Sequence, residues 1–238
     1  MLIAIPSKGR AGRVKSTAIL PSGVLYVPEQ EASDYRATER GQVVGVPQGV
    51  RGITKTRNWI LDNANDDQVV FVDDDAKNVG WVELRTFDCR HHKMTERVLL
   101  PEFEKLFAVA RGVGARIWGT ATQSATRSVY PWAPFRFQSY VTASCMGIWN
   151  DTGIRFDEAF PVKEDYELCL RCIKEDGLVL SAQYFYWENA HWDTAGGCKD
   201  YRTQAMEEDC IRRLMALYPG YIRRVTRGGS EYSIQLDF

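Results

Sequence analysis

The chain has 238 residues, 45% of them hydrophobic and 26% charged, with a formal net charge of −1. That balance suits one globular domain with a substantial core and excludes recognition of a polyanion through bulk charge. No apolar run reaches membrane-spanning length, and the stretch from Met1 to Pro6 is too short for a secretory leader, so the expected setting is the cytoplasm.

Leu2 to Pro6 reads as a first strand, followed by a basic loop from Ser7 to Arg13 that carries Gly9 and Gly12. Its cations Lys8, Arg10 and Arg13 suit an anionic ligand such as a diphosphate, with a solvated basic turn as the alternative. Neither the dinucleotide glycine pattern nor the NTPase phosphate loop is present. Val24 to Val27 and Val43 to Val46 read as short strands separated by a polar helical stretch around Glu29 to Glu39, an alternation that argues for a parallel sheet covered by helices. Gly52 to Leu61 reads as a loop entering a helix, with Ile53, Arg57, Ile60 and Leu61 on one face. A cation on that face either reaches a ligand or the aspartates downstream, or forms an exposed salt bridge.

The rest is organised around Val69-Val70-Phe71-Val72-Asp73-Asp74-Asp75. An unbroken apolar run describes a strand buried on both faces, since a one-sided strand would alternate with polar residues. Three adjacent carboxylates repel one another and are costly to desolvate, so a cation or a donor-rich ligand is the simplest way to hold them. They fall at the carboxyl end of a strand, where open α/β sheets place their ligand crevice. A solvated turn is the plain alternative.

Gly80 to Leu84 reads as a short strand, His91 and His92 as a solvated pair in a loop, Glu102 to Arg111 as a helix with an apolar stripe, and Ile117 to Thr120 as a strand. Arg127 to Tyr140 interleaves arginines, aromatics and prolines, giving either a stacking platform or a loop whose aromatics fold into the core. Ser144 to Trp149 is a small-residue strand, and Glu164 and Asp165 open a helix, where acids also complement the helix dipole. Their use in chemistry requires them to face the same crevice as Asp73 to Asp75. Cys169 and Cys172 form a CxxC inside helical periodicity with no second pair at zinc spacing, so they read as small buried hydrophobes. His191 sits between aromatics before a Gly-Gly, Tyr201 to Tyr218 is an amphipathic helix, and Arg212, Arg213, Arg223, Arg224 and Arg227 make the last quarter locally basic.

The ordered set resembles a glycosyltransferase of the GT-A fold: a Pro-Ser-x-Gly-Arg loop, a Thr-Arg-Asn helix, a strand ending in three aspartates, Gly-Ile-Arg-Phe-Asp-Glu before Lys-Glu-Asp-Tyr-Glu-Leu, and a late histidine. It is most similar to the phage TET-associated glycosyltransferases, over nearly the whole chain. The resemblance implies a single Rossmann-like α/β domain with a mostly parallel sheet, a nucleotide-sugar-binding half over about 1–120 and an acceptor half over about 121–238. It implies a divalent cation, Mn2+ or Mg2+, held by Asp73, Asp75 and His191, with Asp74 beside it, bridging the diphosphate of a nucleotide-sugar such as UDP-glucose or UDP-GlcNAc. Lys8 and Arg10 would hold the diphosphate, Arg57 and Asn58 would line the nucleotide pocket, and Glu164 and Asp165 would be the acceptor-side acids, Asp165 taking the proton from the acceptor hydroxyl. The implied acceptor is hydroxymethylcytosine in phage DNA, in the host cytoplasm, to which the Arg127 to Tyr140 loop and the basic tail would contribute stacking and charge. A polysaccharide or protein acceptor also fits the aromatics. Rivals from other classes are a metal-dependent phosphoryl or nucleotidyl transferase and an inactive nucleotide- or DNA-binding module.

Overall fold

The structure is a computed structural model that describes residues 1–84, 89–122, 132–190, 201–227 and 230–237. Its strands are β1 (Leu2–Pro6), β2 (Val24–Pro28), β3 (Val43–Val46), β4 (Gln68–Val72), β5 (Ala76–Leu84), β6 (Cys89–Lys93), β7 (Ile117–Ala121), β8 (Phe135–Arg136), β9 (Cys145–Trp149), β10 (Leu180–Asn189), β11 (Ile222–Arg227) and β12 (Ser230–Leu236). The α-helices are α1 (Ala32–Thr38), α2 (Ile53–Asn63), α3 (Glu96–Val113), α4 (Glu164–Asp176) and α5 (Gln204–Leu217). One sheet runs β3-β2-β1-β4-β9-β7-β10-β5-β6, with β8 added against β10. Only β5, β8 and β9 run against the common strand direction among the described residues, so the sheet is mostly parallel.

The apolar run before the aspartates is buried on both faces, as its lack of alternation requires. Val70 and Val72 enter a core with Phe103, Leu106 and Phe107 of α3, whereas Val69 and Phe71 enter a second core with Ile60 and Leu61 of α2 and Leu168 and Cys169 of α4. Two helical layers thus clamp β4, and its carboxyl end is fixed at the sheet's rim. A third core joins Phe160, Val162 and Leu170 to α5 and to the β11-β12 hairpin through Ile211, Leu214, Ile222 and Ile234. Cys169 and Cys172 are buried free thiols in the second core, as their helical spacing indicates.

Several elements differ from the sequence reading. His91 and His92 lie in β6, not in a loop. His92 stacks on Trp81 with ring centroids 4.2 Å apart and pairs with Glu83 at 2.9 Å. A sheet edge tolerates the charged Arg90 to Lys93 run because only one side of its backbone must pair. The β10 strand was not foreseen, and it lies between β7 and β5, with all but two of its residues buried. The arginines of the last quarter are largely neutralised: Arg212 and Arg213 pair with Asp209, Arg224 with Glu208, and Arg223 with Asp237. Among the described residues, no helix is long and apolar enough to cross a membrane.

Gly147 of β9 faces the ring of Trp118, and a Cβ there would come within 2.0 Å of it. Trp118 is fully buried between Phe103 and Phe107, so it has nowhere to move. Gly147→Ala is expected to destabilise the chain by about 1–3 kcal/mol through overpacking. Gly112→Ala, in α3 with nothing near its Cβ position, should leave thermal unfolding unchanged or raise it slightly.

Candidate functional site

The backbone of the aspartate turn is held in place by the segment after the first loop. Buried Ser16 donates its hydroxyl to the Asp73 carbonyl and accepts from the Ala76 N–H at 3.2 Å, while the Lys15 N–H donates to the Asp74 carbonyl at 2.9 Å. On the other side, the Asp73 N–H donates to the Ser144 carbonyl at 3.1 Å and the Ala190 N–H to the Asp75 carbonyl at 3.0 Å. The three side chains then diverge into different surroundings.

Asp74 points inward. Ser7 donates to its Oδ2 and Arg10 to its Oδ1, and Tyr35 contacts the Ser7 hydroxyl at 2.8 Å while accepting from the Arg10 N–H at 2.9 Å. Burial pushes the Asp74 carboxyl up, and the Ser7 hydroxyl and Arg10 guanidinium draw it back. With both oxygens engaged, Asp74 anchors the first loop to the aspartate turn. Asp75 meets Arg10 only at 3.7 Å. Asp73 accepts from Arg57 Nη2 at 3.4 Å on Oδ1 and from Asn189 Nδ2 at 2.8 Å on Oδ2, with a third of its side chain still open to the crevice. Desolvation, only partly offset by Arg57 and reinforced by Asp75, Asp74 and Glu164, pushes its carboxyl up to about 7.

Arg57 is 3% exposed, and its side chain packs over the rings of Phe71 and Phe156 at 5.8 and 5.5 Å. Its Nη1 donates to Glu164 Oε1 at 2.5 Å, so one guanidinium joins the strand-end aspartate to the first residue of α4. Burial raises the Glu164 carboxyl, Arg57 lowers it, and the neighbouring Asp165 raises it again. Glu164, the first of the acids that open α4, is thus joined to Asp73 through Arg57. Asp165 accepts from the Tyr140 hydroxyl and, at 3.4 Å, from the Ala143 N–H, and Tyr140 stacks on Tyr166 at 4.1 Å. Asn58 is turned elsewhere: its amide donates to the Phe156 carbonyl and accepts from the Phe156 N–H, each at 2.9 Å, which fixes the turn before α4. Lys8 is exposed in the first loop.

His191 lies outside the described residues, as do residues 127–131 of the aromatic loop. Of that loop's described part, Trp132 and Phe137 are exposed and Phe135 packs against Tyr184. Sequence reasoning missed Asn189, Ser7, Tyr35 and Tyr140. Ser7 stood in the quoted loop motif and Tyr140 in the aromatic stretch, but nothing in the sequence marks Asn189.

The donor set suits a hard cation at Asp73 and Asp75, both of which offer carboxylate oxygens. Asp74 does not fit that role, because it is buried with Ser7 and Arg10 on its oxygens, whereas a third of the Asp73 side chain is open. Among the described residues, no third His, Cys, Asp or Glu completes a cage, so ligand oxygens or a residue beyond them would finish the coordination.

Removing Arg57 leaves Asp73 and Glu164 without their shared cation. Arg57→Met is expected to cost about 3–5 kcal/mol in urea unfolding, the usual penalty for breaking a buried ion pair. The Arg57→Met/Glu164→Gln double variant should be less destabilised than the sum of the singles by about 1–3 kcal/mol.

The sequence profile of the TET-associated glycosyltransferases matches residues 1–197. No curated protein sequence matches the chain. Among solved structures, the chain is similar to glucosyl-3-phosphoglycerate synthase from Mycobacterium tuberculosis (14% identity, TM-score 0.53, covering 98% of this chain and 85% of that one). It is similar to the mannosyltransferase PcManGT from Pyrobaculum calidifontis in complex with GDP-Man and Mn2+ (11%, 0.53, covering 91% and 61%). It is also similar to S. aureus TarS 1-349 in complex with UDP-GlcNAc (14%, 0.52, covering 92% and 66%). The chain thus spans somewhat under two thirds of the mannosyltransferase and about two thirds of the TarS fragment. At these identities the likeness concerns the fold, which is GT-A. The family profile covers most of the chain, and the chain belongs to the TET-associated glycosyltransferases.

Proposed function

We propose that the chain transfers a sugar from a nucleotide-sugar, UDP-glucose or UDP-GlcNAc, to the hydroxymethyl group of hydroxymethylcytosine in phage DNA, within the cytoplasm of the host. The observation that carries this reading is the Arg57 bridge, which joins Asp73 at the end of β4 to Glu164 at the start of α4. Donor binding falls to the half over about 1–120 and acceptor binding to the half over about 121–238. The family's name supports the acceptor. The ligands of similar proteins, UDP-GlcNAc in one and Mn2+ with UDP in another, support the donor and the cation.

In this reading Asp73 and Asp75 hold Mn2+ or Mg2+, with His191 as the further ligand. When bound, the cation offsets charge building on the leaving diphosphate. Lys8, exposed at the rim, reaches the donor's phosphates. Arg10 keeps Asp75 aimed at the cation while fixing the first loop through Asp74. Arg57 lies beneath the donor, drawing both Asp73 and Glu164 toward their ionised forms, and Asn58 shapes the pocket through the turn at Phe156. Asp165 takes the proton from the acceptor hydroxyl, whose oxygen forms the new bond to the anomeric carbon as the bond to the diphosphate breaks. Tyr140 orients Asp165 by its hydroxyl, leaving the carboxylate's remaining lone pairs for the acceptor.

Hydroxymethylated and unmodified DNA, incubated with a panel of nucleotide-sugars and Mn2+, should differ by mass spectrometry. A hexose or N-acetylhexosamine gain that needs the modified base and vanishes in Asp75→Ala is the expected result. Donor hydrolysis dependent on Asp75 without DNA modification would move the acceptor to a polysaccharide or protein. On the working substrate, Asp165→Asn should lower kcat by about 100-fold or more, as loss of a general base does. Tyr140→Phe should lower it about tenfold, on the scale of one hydrogen bond to a charged group, with donor KM unchanged in both.

A further inference from the structure

Asn189 contacts Asp73 through a feature that only the fold supplies. The β10-β5 ladder pairs Glu188 with Asn78 and then Asn189 with Ala76, skipping Lys77. Such a bulge re-aims a side chain next to a site. Here it brings the Asn189 amide to Asp73 and the following N–H, that of Ala190, to the Asp75 carbonyl at 3.0 Å. The orientation of the amide is fixed by chemistry as well as by fit. Trp187 Nε1 contacts Asn189 Oδ1 at 3.1 Å, and an indole nitrogen can only donate. The oxygen of Asn189 must therefore face Trp187, which leaves its Nδ2 to donate to Asp73 Oδ2 at 2.8 Å. Trp187 is fully buried and Asn189 is 5% exposed, so neither exchanges this contact freely with solvent. The relay runs on from Asp73 to Arg57 and Glu164. Each Asp73 oxygen thus meets a donor, and a third of the side chain stays open.

We propose that Trp187 and Asn189 are positioning residues for Asp73. The indole sets the amide, and the amide holds the carboxylate in the rotamer in which it takes a divalent cation. This rests on the reading of Asp73 as a cation ligand. The plain alternative is that Asn189 serves only to satisfy the buried indole N–H.

The test is Mn2+ binding in the presence of UDP, followed through the electron paramagnetic resonance signal of free Mn2+, with thermal unfolding measured on the same samples. Asn189→Ala removes the donor, and Trp187→Phe keeps an aromatic ring while freeing the amide to turn its oxygen toward Asp73. Both should weaken Mn2+ binding by about 10-fold or more, the range for residues that orient a metal ligand. Gly147→Ala, which loses stability away from the site, should bind Mn2+ as the parent chain does. Unchanged Mn2+ affinity in both Asn189→Ala and Trp187→Phe, with binding lost in Asp73→Ala, would overturn the positioning role and leave the cation reading intact. Unchanged or absent Mn2+ binding in both the parent chain and Asp73→Ala would overturn the cation reading and the positioning role with it.

Discussion

The Arg57 guanidinium is the contact on which the crevice depends. It is buried among Phe71 and Phe156, with Asp73 on one side and Glu164 on the other. A charge in such a place is tolerated only when paired, and two carboxylates in such a place are tolerated only when a cation lies between them. Remove the guanidinium and the end of β4 and the start of α4 would repel each other. With it, two segments more than ninety residues apart in sequence share one polar wall. The neighbouring network of Arg10, Ser7, Tyr35 and Asp74 does the same for the first loop, and Asn189 for the end of β10.

The three aspartates consequently do three different things. Asp74 is a structural anchor with both oxygens taken. Asp75 is the least engaged and Asp73 is held from two sides with part of its surface open. The division follows from the turn after β4, where Asp74 and Asp75 are both buried and Asp74 finds partners for both oxygens. A DDD run thereby yields one carboxylate partly open to solvent, one buried beside Arg10, and one that ties the turn to its support.

Much of this was legible in the residues. The unbroken Val69 to Val72 run gave a strand buried on both faces, and Arg57 at helical spacing from Ile60 and Leu61 placed a cation on the core side. What stayed illegible depends on contacts distant in sequence. Asn189 acquires its role only through a bulge opposite Lys77. Asn58 was expected in the nucleotide pocket because it follows Arg57 in a motif, yet one step along a helix turns a side chain by about 100°, and it meets the Phe156 backbone instead. The β6 run of Arg90 to Lys93 has no hydrophobic alternation because it lies at a sheet edge, and the tail arginines read as a phosphate patch although folding sets Glu208, Asp209 and Asp237 against them.

The most direct measurement is calorimetric titration of UDP into the protein with Mn2+, with EDTA, and with Mn2+ in Asp75→Ala. The account predicts UDP binding that requires Mn2+ and is lost in the variant. Equal UDP affinity in EDTA and in Asp75→Ala would contradict it, because the aspartate crevice would then not be where the diphosphate is held.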